Sequence, residues 1–156
     1  MRNGRSFVSA LVAGSSGAPA NAVEFNIWRS GRIPGLEIVH TNSHEHSYPP
    51  HLHDCLEIIW IRSGNARLTC QNRTFDLLTD EAAVIPPNEV HGGGGSGSNL
   101  GYVAIQLPRV LIDQVFSDFK FVLDDAGNPA PIKLLSREKA KSLLPIMIST
   151  LCAERM

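Results

Sequence analysis

With 156 residues and 43% apolar content, the chain can bury one good core, so a single domain is expected, with room for a small helical appendix. A net charge of −1 excludes an overall basic surface for a nucleic-acid backbone, and no run approaches the ~18 apolar residues needed to span a bilayer. The odd set Cys55, Cys70 and Cys152 gives neither a disulfide framework nor a zinc-finger pattern, which fits a reducing cytoplasm.

In chain order, the first 24 residues are small, polar and Gly/Ser/Ala-rich, and little fixed structure is expected there. Arg2, Arg5, the apolar Phe7 to Ala13 and Ala20-Asn21-Ala22 faintly imitate a secretory signal, but the apolar part is short and broken by Ser9, so a flexible cytoplasmic leader is expected. Val23 to Trp28 reads as a first edge strand or an arm laid over a barrel. After the turn-forming Arg29 to Gly35, Leu36 to His40 begins the regular strands, and Thr41 to Pro50 is a polar loop in which His44 and His46 read as solvated residues.

Cys55 to Arg62, rich in β-branched and aromatic residues and closed by Gly64-Asn65, is the central strand. Ala66 to Cys70 and Thr74 to Leu78 follow as short strands separated by Gln71-Asn72-Arg73. Such spacing predicts an antiparallel barrel or sandwich rather than an α/β fold. Glu81 to Pro86 leads to the turn Pro86-Pro87-Asn88-Glu89, which delivers His91 to the next strand. Gly92 to Ser98 is expected as a flexible loop, and Gly101 to Leu107 as the strand that completes a barrel over residues 25–107.

From Pro108 the period changes. Val110, Leu111, Val115, Phe116 and Phe119 fall at helical spacing, Asp124 to Pro131 is a loop, and Ser136 caps a last helix kinked at Pro145. In that helix Ala140, Leu143, Leu144, Met147 and Leu151 form one apolar stripe. Residues 108–156 are thus a helical appendix, whose stripe either forms a dimerisation face or packs on the barrel wall.

Chemistry concentrates around the central strand. Successive strand residues point to opposite faces, so the odd-numbered His51, His53 and Glu57 are expected on one face, where His91 joins them. Three imidazoles and a carboxylate suit a divalent metal such as zinc, nickel, iron, manganese or cobalt, with one or two positions left open. The plainer alternative is that the histidines only hydrogen-bond to one another and to Glu57. Cys55 shares the odd face, and Tyr48, Arg62 and Gln106 are further candidates for contact with a small-molecule effector; Trp60 should face away into the core.

His51-x-His53, three residues, Glu57, six residues, Gly64, then Pro86-x-x-x-x-His91, resembles the two motifs of the cupin fold, a small double-stranded β-barrel. The departures are Glu45 and Asn88 where a glycine is usual, and Gly95 where an asparagine is. Asn88 tolerates the left-handed turn. The resemblance implies a mainly-β jelly roll followed by two carboxyl-terminal α-helices, with His51, His53, Glu57 and His91 at the metal-ligand positions.

With the opening Leu134-Leu135-Ser136-Arg137-Glu138 of the last helix added, residues 25–156 resemble the amino-terminal sensor half of AraC-family bacterial transcription regulators. That resemblance implies a cytoplasmic homodimer responding to a small effector, with DNA bound only through a helix-turn-helix region absent from this chain and no membrane contact. A small metal-dependent cupin enzyme, an oxygenase or isomerase, is the second reading. The complete ligand set favours the enzyme and the helical appendix favours the sensor.

Overall fold

The computed structural model describes residues 8–12, 23–43, 47–95, 99–115 and 132–153. In chain order these form β1 (Val8–Val12), β2 (Val23–Arg29), β3 (Glu37–Ser43), β4 (Ser47–His51), β5 (Leu56–Ser63), β6 (Ala66–Cys70), β7 (Arg73–Leu77), β8 (Ala82–Ile85), β9 (His91–Gly95), β10 (Leu100–Leu107), α1 (Arg109–Val115), β11 (Lys133–Leu135) and α2 (Arg137–Ala153). Seven strands in the order β1-β2-β3-β10-β5-β8-β11 make one sheet, and β4-β9-β6-β7 make a second. Every pairing is antiparallel. The expected mainly-β, two-sheet cupin barrel with two carboxyl-terminal helices is the fold observed.

Both faces of β5 and β10 are covered, which explains why these strands are apolar almost without alternation. Ile59 and Ile61 of β5 and Tyr102 and Ala104 of β10 look into the barrel with Leu68 and Leu77 of the facing sheet. Ile58, Trp60, Val103, Ile105 and Leu107 look outward into a second core, closed by Ile112 of α1 and by Ala140 and Leu144 of α2. The apolar stripe of α2 therefore packs on its own barrel: Ala140 is 0% exposed, Leu144 2%, and Met147 and Leu151 lie against the same cluster. Leu143, 55% exposed, points away from it. Of the two readings of the stripe, packing on the barrel wall is the one Ala140 and Leu144 display, because the period that placed them together also placed them against the sheet. A Lys141–Asp80 ion pair at 2.8 Å ties the helix to the turn between β7 and β8.

Other expectations change. Val8–Val12, in the segment expected to lack structure, pairs along β2, so β2 is not an edge strand. The loop expected over Thr41–Pro50 is largely the ends of β3 and β4; its His44 and His46 lie outside the described residues, as do Phe116, Phe119 and the loop 124–131. Prolines 49 and 50 are tolerated because β4 is the edge of its sheet, where a missing N–H costs no ladder bond. Leu134 and Leu135, read as the start of the last helix, pair with β8 instead, and α2 begins after Ser136, whose carbonyl accepts from Ala140 N at 2.9 Å.

Gly92–Gly95 form β9 between β4 and β6, not a loop. A Cβ on Gly93 would collide with the Arg67 carbonyl oxygen and sit 3.1 Å from Leu68 Cα; one on Gly92 would lie 3.0 Å from the Tyr48 carbonyl oxygen. Gly92 and Gly93 are glycine because neighbouring backbones come too close there for a side chain.

Candidate functional site

The four ligand candidates come from four separate places. His51 ends β4, His53 lies in the connection that crosses to the other sheet, Glu57 is the second residue of β5, and His91 opens β9. The expected convergence is present, but not through alternation along one strand: His51 and Glu57 belong to different sheets. The turn at Asn88, with a φ of 63°, donates its N–H to the His53 carbonyl at 2.7 Å. One turn thereby positions both His53 and His91.

The geometry is tight. His91 Nε2 lies 3.0 Å and His53 Nε2 3.4 Å from Glu57 Oε2, and one donor atom from each of the four residues falls within 4.8 Å of every other. His51 is exposed, while His91 is 2% and Glu57 6% exposed, so the cluster runs from the barrel mouth inward. Each Nδ1 is held by a backbone carbonyl: His51 by Pro49 at 2.9 Å, His53 by Cys55 at 3.1 Å, His91 by Glu89 at 2.8 Å. A ring that donates from Nδ1 offers its Nε2 lone pair, the state a metal ligand needs. Such lone pairs facing a buried carboxylate oxygen require positive charge between them. The donor set therefore fits a divalent metal, which His51, His53, Glu57 and His91 would hold.

Without a metal, protons supply that charge. Burial pushes the Glu57 carboxyl up, but hydrogen bonds from His53 and His91 outweigh it and hold the group at about 2. His53 is raised to about 10 by hydrogen bonding to Cys55 and then to Glu57. The Glu57 value lies below its ordinary 4.5, so its contribution to stability is complete above pH 4.5 and lost as pH falls toward 2. Urea unfolding of the metal-free chain between pH 5.5 and 3 should show a loss of about 2 kcal/mol that Glu57→Gln largely removes; an unchanged slope in that variant would contradict the pairing.

A cavity of about 340 Å³ adjoins the cluster, and His51, Glu57, His91, Tyr48 and Gln106 line it. Gln106 donates from Nε2 to Glu57 Oε1 at 3.3 Å, leaving Oε2 to the imidazoles. The Tyr48 ring meets Tyr102 edge-on at 5.9 Å, and burial followed by the charge of Glu57 pushes its phenol up. Cys55 does not line the cavity; it is buried behind His53, Sγ 3.1 Å from Nδ1. Arg62 is not among the residues that line this cavity: it is exposed, with its guanidinium 3.9 Å above the ring of the outward-facing Trp60. Its even number, shared with the outward Trp60, already carried that signal. Tyr102 and Ala104 were not anticipated as wall residues, although they share parity with Gln106 along β10. Gly92 to Gly94, also on the wall, had no readable signal beyond being glycine.

A family model described as AraC-like ligand binding domain matches residues 33–140. No curated protein matches the chain in sequence. Among solved structures, the AraC-like transcriptional activator CuxR is similar over 90% of this chain and 50% of its own, at 19% identity and a TM-score of 0.60, so the chain spans half the length of CuxR. The cupin domain of Cnp3 from Schizosaccharomyces pombe is similar over 64% of this chain and 74% of its own, at 13% identity and a TM-score of 0.52. A cupin superfamily protein from Desulfitobacterium hafniense is similar over 65% and 98%, at 15% identity and a TM-score of 0.52. At these identities the structural likenesses speak for the fold alone.

Proposed function

Because this chain belongs to the family of AraC-like ligand binding domains, we propose that it is the effector-sensing part of a transcription regulator, with a small molecule bound in the barrel beside a divalent metal held by His51, His53, Glu57 and His91. When bound, such an ion supplies a Lewis-acidic positive charge that can take an oxygen of the ligand. The chain's own residues orient the ligand set through the three carbonyls and Gln106. The barrel is proposed to span residues 25–107 and the appendix 108–156. DNA would be contacted by a region outside this chain, and among the described residues no helix is long and apolar enough to cross a membrane.

One observation favours a sensor over an enzyme. The strands that line the cavity with Glu57, Ile59 and Ile61 carry α1 and α2 on their reverse face through Ile58, Trp60 and Ile105. A ligand that prefers one packing of the inner residues thereby biases the outer helices, which is the differential binding a switch requires. A homodimer formed through α2 would use Leu143 and Ile146, exposed 55% and 67%, not the buried stripe. The enzyme reading keeps the complete ligand set in its favour.

Incubating the metal-loaded chain with a small-molecule library in air separates the two. A sensor's ligand at ~100 times its Kd should stabilise by about 2.7 kcal/mol, raising the melting midpoint by roughly 5–10 °C, and should be recovered unchanged by mass spectrometry. Multiple turnovers of a bound compound would support the enzyme instead.

A further inference from the structure

We propose that the ligand taken by this cavity is a compact apolar molecule bearing one carboxylate head, and not a polyhydroxylated one such as a sugar. This inference rests on the sensor reading and narrows it to a chemical class. The polar side chains on the wall gather around one end, where Tyr48, His51, Glu57, His91 and Gln106 meet, and the Tyr102 ring packs edge-on against Tyr48 at 5.9 Å. Beyond them the wall is Val39, Ile59, Ile61, Leu68, Leu77 and Leu100. The charged Arg67 also borders the cavity, but its side chain is 62% exposed and paired at 2.9 Å with the equally exposed Asp76. The wall therefore offers a ligand hydrogen bonds at its head and mainly hydrocarbon contact elsewhere.

A pentose carries a hydroxyl on nearly every carbon, and each one buried here without a partner costs roughly a factor of ten in affinity. An apolar body gains by the same burial. The sign of the head follows from charge: three neutral imidazoles, one carboxylate and one divalent ion leave a single net positive charge, which an oxygen anion neutralises. Gln106, fixed on Glu57 Oε1, keeps that carboxylate turned to the imidazoles. At about 340 Å³ the cavity is near the small end of ligand sites, which suits one ring or a short branched chain.

Calorimetry on the zinc-loaded full chain tests this with benzoate, 3-phenylpropanoate and 4-methylpentanoate, their primary amides, and the pentoses arabinose and xylose. At least one carboxylate should bind tenfold or more tighter than its amide, with neither pentose competing. Ala104, 5% exposed on the apolar wall, gives the steric control. Ala104→Val should weaken carboxylate binding and Ala104→Leu abolish it, both with wild-type zinc content, which reports an intact barrel. Amides binding as tightly, a pentose binding more tightly, or no carboxylate binding to the zinc-loaded chain would each overturn the ligand class while leaving the sensor reading in place. Failure of the wild-type chain to take up zinc, with sugars still binding, would overturn the metal centre and this class together.

Discussion

Replacing Leu144 by Asp should detach α2 from the barrel and cost at least about 4 kcal/mol, because a carboxylate is forced into an apolar interface with no partner. Leu144 is 2% exposed in the cluster that contains Ile58, Trp60 and Ile105. Trp60 is 3% exposed in the same cluster, so its fluorescence should shift to the red as water reaches the indole. Leu143→Asp, one position away on the exposed side, should change stability by no more than about 0.5 kcal/mol. Equal effects of the two substitutions in urea unfolding would show that α2 does not pack as described.

Gly93→Ala is expected to damage the site, despite adding only one methyl group. Where backbone and space allow, Gly→Ala stabilises by about 0.4–1 kcal/mol through the unfolded chain. At Gly93 the new Cβ meets the Arg67 carbonyl oxygen and Leu68 Cα, backbone atoms held in the ladder between β6 and β9. Relief requires β9 to move, so the sign reverses and a loss of about 1–3 kcal/mol is expected. His91 is carried on the same strand, two residues earlier, and its displacement should weaken metal binding as well. Gly31→Ala, with nothing within 4 Å of its Cβ, supplies the contrast and should be neutral or slightly stabilising. A Gly93→Ala chain as stable as wild type, with full metal content, would show that the glycine run is not a packing requirement.

The sequence made the ligand set legible because it is written in local spacing: His51-x-His53, Glu57 and the proline turn before His91 are short-range signals, and their side chains do converge. Parity along a single strand was the wrong reason, since a crossing between sheets separates His51 from Glu57. Parity did hold where the strand is continuous, with Glu57, Ile59 and Ile61 facing inward against Ile58 and Trp60. The features that escaped depend on contacts between distant segments. Nothing local distinguishes a strand of glycines pressed between two backbones from a flexible linker, and Gly92–Gly95 was read as the latter. An apolar helical stripe reports only that it is covered; the sheet beneath it, set by strands far earlier in the chain, decided by what.

The most direct test of the four-residue centre is the divalent-metal content of the purified chain beside His91→Ala and Glu57→Gln, with circular dichroism as the check on folding. Three imidazoles and a carboxylate sharing one ion predict about one metal per wild-type chain and close to none in either variant. Equal metal content in all three folded proteins, or none in the wild type after dialysis against zinc, would contradict it.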